Sequence, residues 1–278
     1  MNVRDVIASV PREPFIPEEI FVRNEAGWLV PLRRSDDPEQ WRERVEVDGP
    51  IVTRAEPDPA LPGEVCDPVT GRGMISTSSS SAPFIMARLI EAMELEPGMR
   101  VLEIGTGTGY NAAVLARITG AGNVISVEID PVAASSAREA LKTVGLPVKV
   151  VTGDGEAGYP PGAPYERIIV TASAHTVPYA WVRQVRPGGL IVVPLAATVH
   201  PDWPLAVLKV QDDGTAQGRC LGPSPFMPLR AQHVSARSVQ ETEERWAAAG
   251  KPEASRFGVT VTPAGQRIWL DSPDNPVV

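Results

Sequence analysis

Cysteine is nearly missing from the chain. Cys66 and Cys220 stand alone, 154 positions apart in 278 residues, which argues against a disulfide framework or a C-x-x-C zinc site and leaves two plain thiols. Histidine is as scarce, and His175, His200 and His233 fall in different segments, so no metal is expected. Positive charge is in deficit: the formal net charge is -8, the pI is near 5.1, and no local Lys/Arg run offsets it, which disfavours nucleic acid as a partner. No apolar stretch approaches the roughly 20 residues of a membrane span, and the N-terminus lacks an apolar signal core. Neither a membrane partner nor export is expected, and a cytoplasmic location is the default. Apolar residues, by contrast, make up 43%, ample for one large core, and the 29 prolines, about twice the usual share, gather between elements as stiff loops.

The most informative stretch is Val101-Leu102-Glu103-Ile104-Gly105-Thr106-Gly107-Thr108-Gly109-Tyr110. It reads as a buried strand, a glycine turn, and a helix over 111–119 stopped by Gly120. Glycine is required where a strand turns straight into a helix beside a ligand, because a Cβ would occupy the ligand's space. The spacing is G-x-G-x-G, whereas a dinucleotide fingerprint is G-x-G-x-x-G. The acidic Glu103 opening the turn would repel a pyrophosphate and favour a cationic group, such as the sulfonium of S-adenosylmethionine. A ligand-free glycine turn is the plainer alternative.

Around this turn the pattern alternates: a strand over 123–128, a helix over 131–143, and strands over 148–152, 167–171 and 190–194, with a helix over 178–185 and a turn at Pro187-Gly188-Gly189 before the last. Such alternation predicts right-handed βαβ units, hence an α/β fold with a Rossmann-like doubly wound parallel sheet. Glu128 ends the second strand, where a carboxylate can accept both ribose hydroxyls, and Asp154-Gly155 ends the third, beside it. Residues 205–210 and 216–221 read as a hairpin around Asp212-Asp213-Gly214, followed by a charged helix over 235–249 and a second hairpin over 257–270. Upstream, 3–10 reads as a short helix. Residues 18–76 read as an irregular lid, with anchors Phe21, Trp28, Leu29 and Trp41. The run Ser76-Thr77-Ser78-Ser79-Ser80-Ser81 precedes an amphipathic helix from Phe84 to Glu94, with Ser81 as its expected N-cap. The serines are either a flexible linker or an anion site at that helix start. The expected organisation is a cap and substrate segment over 1–80, a cofactor-binding core over 81–222, and a C-terminal α+β extension over 223–278.

Several of these stretches in order resemble the protein-L-isoaspartate O-methyltransferase family of class I S-adenosylmethionine-dependent enzymes. They are Ala8-Ser9-Val10-Pro11-Arg12-Glu13-Pro14-Phe15, Ser81-Ala82-Pro83, 101–110, Gly153-Asp154-Gly155 with Gly158-Tyr159, 163–168 and Arg186-Pro187-Gly188-Gly189. The resemblance covers about residues 3–17 and 76–210. It implies S-adenosylmethionine as cofactor and S-adenosyl-L-homocysteine as product. Carried over by position, Glu103, Gly105, Thr106, Gly107, Glu128, Asp154 and Gly155 would hold the cofactor. Ser81 matches the family's serine at the methyl-transfer site, and Ser78, Ser79 and Ser80 extend it as candidate catalytic positions. Ser81 and His175 are the candidate substrate contacts, although a purely structural bond is the plainer role for His175. The chain departs from the family in its long insert, its serine run and its tail. Those departures resemble homologues that methylate an aspartate of a ribosomally made lanthipeptide, lasso peptide or graspetide, giving aspartimide or isoaspartate.

The implied partner is therefore a peptide or protein carrying aspartate or isoaspartate, with arginines and lysines of the insert and tail expected to recognise it. General isoaspartyl repair, a small-molecule or RNA methyltransferase on the same fold, and a binding module without turnover are the alternatives.

Overall fold

Strand β5 (Val101–Ile104) is buried at every residue and lies in the interior of a nine-stranded sheet, in a computed structural model that describes residues 2–277. Its neighbours are β6 (Val124–Glu128) and β8 (Tyr165–Val170), both parallel to it. Outside them lie β7 (Lys149–Thr152), parallel to β6, and β9 (Val185–Pro194), parallel to β8. Antiparallel strands β10 (Pro204–Val210), β11 (Ala216–Pro223), β12 (Phe257–Thr262) and β13 (Gly265–Leu270) complete the order β13-β12-β11-β10-β9-β8-β5-β6-β7. The chain reverses its direction of travel across the sheet at β5 and β8. That is the switch point at which α/β sheets open a crevice beyond their strand ends.

Helices cover both faces. Helix α4 (Tyr110–Thr119) is buried at nine of its ten positions, including Leu115 at 0% exposure, and packs with α1 (Val3–Ser9) and α3 (Pro83–Ala92) against the sheet. Each aliphatic side chain of this size contributes about 1.5–3 kcal/mol by leaving water. Gly109 begins α4 at φ 87° and Gly120 ends it at φ 97°, left-handed values that a side chain would strain. Helix α5 (Pro131–Thr143) starts on Asp130, whose carboxylate accepts from the backbone N–H groups of Val132 and Ala133. The Pro187-Gly188-Gly189 turn is a bulge within β9, where the register against β8 slips between Tyr165 and Arg167. The expected helix over 178–185 shortens to α6 (Tyr179–Val182).

The region expected as an irregular lid is largely ordered. Strands β1 (Glu19–Arg23), β2 (Leu29–Arg33), β3 (Ile51–Pro57) and β4 (Met74–Ser80) form a second antiparallel sheet of order β2-β1-β3-β4, with α2 (Pro38–Glu46) beside it. Ile16, Ile20, Leu32, Trp41, Val45 and Ile51 give this sheet a small core of its own. The serine run is thus the edge strand β4, paired to β3 with shifts of register near Arg54, and not a linker.

Ser81 does not cap α3. Ala82 occupies that position without a side-chain bond, and the backbone N–H of Phe84 donates instead to Asp48, 36 residues upstream, at 2.9 Å. The tail does not form a separate layer: β12 and β13 extend the main sheet, and α7 (Ala236–Ala248) is tied to it through Thr242, which donates to the carbonyl of Ala197.

Candidate active site

The two sheets face one another across a cavity of about 910 Å³. One wall is the end of the parallel sheet: Gly105, Thr106, Gly107 and Thr108 after β5, Glu128, Ile129 and Asp130 after β6, Asp154 and Gly155 after β7, Thr171 and Ala172 after β8. The facing wall is Ser76 to Ser81 together with Thr53 and Arg54 of β3. Residues 225–231 line a further side. They are held there by Ser173, which donates through its backbone to Met227 and through its hydroxyl to Phe226, and accepts from Leu229.

The glycines let the floor pack closely. Gly105 sits at φ 95°, and a Cβ there would lie 2.7 Å from Thr171 Oγ1. At Gly155 a Cβ would meet Ile104 Cγ2 at 2.5 Å. Glu128 is clasped from both sides, one carboxylate oxygen accepting from the Gly107 N–H at 2.8 Å and the other from the Asp130 N–H at 3.0 Å. Each oxygen keeps a further acceptor site for hydroxyls. Trp181 props the Gly155 end by donating its indole N–H to the Gly155 carbonyl at 2.8 Å.

Glu103 lies beneath this floor and does not line the cavity. Its side chain is wholly buried and accepts from Ser126 Oγ at 2.5 Å and Asn111 Nδ2 at 2.7 Å, while Ser126 also shares a hydrogen bond with Thr106. Burial pushes its carboxyl up to about 7, and Glu128 adds to that, against the two hydrogen bonds that favour the anion. A direct contact between Glu103 and a bound cation is therefore not part of this geometry. It braces the turn above it through Ser126, which is hydrogen-bonded to both Glu103 and Thr106.

The four serines divide. Ser80 is 2% exposed and its hydroxyl accepts from Arg12, whereas Ser78 accepts from Thr53 Oγ1 at 3.1 Å. Ser79 and Ser81 have no side-chain hydrogen bond among the described residues, which leaves those hydroxyls available to a ligand. The wall is pinned by the buried Arg12, which donates to the carbonyls of Val47, Gly49, Ser80 and Ser81 as well as to the Ser80 hydroxyl.

His175 does not reach the cavity. Its ring faces the Ala196 carbonyl and Thr198, and its backbone bonds to Gln232 and Gln266, because the tail packs over it. Thr171, Ile129 and 225–231 were not singled out in the sequence, and Arg54 was covered only by the general expectation of arginines in the insert and tail. Thr171 and Ile129 stand just past parallel strand ends and were open to that rule. The others depend on tertiary pairing.

A parallel sheet with a Gly-x-Gly-x-Gly turn at its switch point and an acidic residue closing the next strand defines a class I, Rossmann-like methyltransferase architecture. The comparisons then place the chain more narrowly. The family model of protein-L-isoaspartate(D-aspartate) O-methyltransferase matches residues 70–234. A protein-L-isoaspartate O-methyltransferase of Methanopyrus kandleri is 35% identical over 245 residues, 87% of either chain. A second, from Archaeoglobus fulgidus, is 41% identical over 155 residues, 55% of this chain and 69% of its own. A solved protein-L-isoaspartate O-methyltransferase superposes with a TM-score of 0.64 at 23% identity, over 97% of this chain and 96% of that one. A Plasmodium falciparum structure in complex with S-adenosyl-L-homocysteine gives 0.51 at 16%, over 83% of this chain and 99% of that one. The chain belongs to the protein-L-isoaspartate O-methyltransferase family.

Proposed function

We propose that the protein is an S-adenosylmethionine-dependent carboxyl O-methyltransferase that modifies an aspartate of a ribosomally made, modified peptide, so that the side chain closes to aspartimide, which water can open to isoaspartate. The observation that carries this reading is the juxtaposition of a glycine-floored cofactor crevice and a wall of hydroxyls within one cavity. The crevice fits the cofactor chemically: Gly105 and Gly155 let the turns close against Thr171 and Ile104, where any Cβ would clash, and Glu128 offers acceptors for paired hydroxyls. Glu128, Gly105, Thr106, Gly107, Asp154 and Gly155 would hold the adenosyl and methionyl parts. Bound there, the cofactor supplies an electrophilic methyl group.

The protein's own contribution is placement. A carboxylate, with an ordinary pKa of about 4, is already ionised at neutral pH and needs no general base. The hydroxyls of Ser79 and Ser81 orient it by donation, while Arg12 fixes the strand that carries them. Cofactor and peptide filling the space between the two sheets would displace the water that otherwise solvates the nucleophile. Methoxide leaves an ester far more readily than oxide leaves a carboxylate, so the next backbone nitrogen can attack the ester carbonyl, lose its proton and release methanol to give the succinimide ring.

The ordered insert, whose strands form the hydroxyl wall, and the tail segment 225–231, which lines the cavity, support a dedicated peptide substrate. Repair of isoaspartate in proteins generally is the second reading, favoured by the match to the family model over 70–234. Mass spectrometry of two incubations separates them. The protein and cofactor are given a generic isoaspartyl peptide, and separately a crosslinked precursor peptide from a neighbouring gene. Methylation or net dehydration of the precursor alone supports the dedicated role. Methylation of the generic peptide supports repair, and no turnover of either would refute both readings.

A further inference from the structure

Two guanidinium groups stand at the cavity and converge on one carboxylate, Asp130, with Arg54 paired to Glu56 as well. Arg54 comes from β3 in the insert, Arg230 from the tail, and both line the cavity on which Asp130 of the core also opens. Arg54 Nη1 is hydrogen-bonded to Asp130 Oδ2 and its Nε lies 3.0 Å from Glu56; Arg230 Nη2 stands 4.0 Å from the same Asp130 oxygen. Asp130 is also committed elsewhere, its Oδ1 capping α5. Among the described residues Arg230 makes no side-chain hydrogen bond, and Arg54 Nη2 makes none. Both arginines remain open to solvent, with 42% and 58% of their side chains exposed, while Asp130 is at 14%.

The other carboxylates on the cavity wall, Glu128 and Asp154, accept backbone N–H groups of Gly107, Asp130 and Glu156 and do not neutralise the arginines. Across the sheet Arg54 pairs with Ser78, so its side chain springs from a position about 5 Å from the hydroxyl wall. An extended peptide advances about 3.3 Å per residue. A second acid one or two residues from the carboxyl undergoing methylation therefore falls within reach of a planar guanidinium fork suited to it.

We propose that Arg54 and Arg230 are specificity-determining residues that bind a second carboxylate of the substrate, so that the preferred substrate is a peptide with an acidic residue within two positions of the methylated one. This rests on the carboxyl methyltransferase reading. In the absence of substrate Asp130 takes the place of that carboxylate, and the peptide competes for the same donors.

The test uses the full-length protein and matched peptides, each with the same reacting residue and with either Asp or Asn two positions away. The wild type is expected to favour the acidic peptide by about fivefold in kcat/KM, mostly through KM, at low salt, and to lose the preference as salt rises. In Arg54→Gln and Arg230→Gln the acidic-to-amide ratio falls towards one. Cofactor affinity, measured by calorimetry, reports whether each variant is folded. If the wild type methylates both peptides equally well, or if a variant that retains cofactor affinity also retains the preference, the arginines do not read substrate charge and the proposal fails. If no peptide is methylated at all, the carboxyl methyltransferase reading itself fails.

Discussion

Replacing Glu103 by Gln should make the protein more stable and a poorer binder of its cofactor. Glu103 is fully buried, and its carboxyl sits at about 7 against an ordinary 4.5. At about 1.4 kcal/mol for each pH unit, holding it ionised at pH 8 costs the folded state about 3 kcal/mol. Gln keeps the shape and one acceptor. Its amide also brings a donor within reach of Asn111, whose Oδ1 is buried without a partner. Allowing about 1 kcal/mol for an imperfect rearrangement of the neutral bonds leaves a gain of about 2 kcal/mol, or about 5 °C in Tm.

The pH dependence identifies the cause. A raised carboxyl pKa gives stability that is fully present below about 4.5 and is lost as pH rises through about 7. The advantage of Glu103→Gln should therefore be near its maximum at pH 8 and largely gone by pH 5. Urea denaturation of the ligand-free protein at both pH values measures it, and calorimetry at pH 8 measures the accompanying loss of cofactor affinity. A variant destabilised by the same amount at pH 5 and pH 8 would refute the reasoning, since the hydrogen bonds from Ser126 and Asn111 would then outweigh desolvation.

Gly105→Ala forces a Cβ to 2.7 Å from Thr171 Oγ1 at a left-handed φ, and is expected to abolish measurable cofactor binding in calorimetry while the far-ultraviolet spectrum is retained. Arg12→Ala leaves four carbonyls without their donor and should lower stability by about 3 kcal/mol in urea titrations, with turnover lost at temperatures where the protein is still folded. Ser81→Ala is expected to cut kcat with cofactor affinity unchanged. Ser80→Ala should instead act through the Arg12 contact and shift Tm, which single-turnover assays and melting curves distinguish. Leu115→Ala empties a fully buried site in α4 and should cost about 3 kcal/mol by denaturant titration without altering the ratio of peptide substrates.

What was legible in the sequence was what short-range pattern determines. The apolar run at 101–104 with its glycines, the Asp130-Pro131 helix start and the strand ending at Glu128 announce themselves within a few residues, and they place the cofactor floor. The wall opposite is decided by distant partners. Serine has little strand preference, so the serine run reads as a flexible linker or an anion site at a helix start until β3 pairs with it. The cap of α3 comes from Asp48 and the pin of the wall from Arg12, both far away in sequence. Residues 225–231 are proline and apolar side chains apart from Arg230, and they reach the cavity only because Ser173 bonds them. His175 drew notice as a histidine on a strand-end loop, yet the tail that covers it is invisible to local pattern.

The small core beneath β1–β4 has a practical consequence. Ile16, Ile20, Leu32, Trp41, Val45 and Ile51 support the hydroxyl wall with far less buried surface than the main sheet possesses. On gentle heating that layer should loosen first. Catalysis would then fade while most of the circular dichroism signal persists, and a protease would nick the first 80 residues before the remainder. Shelf life would be governed by six side chains remote from the methyl group.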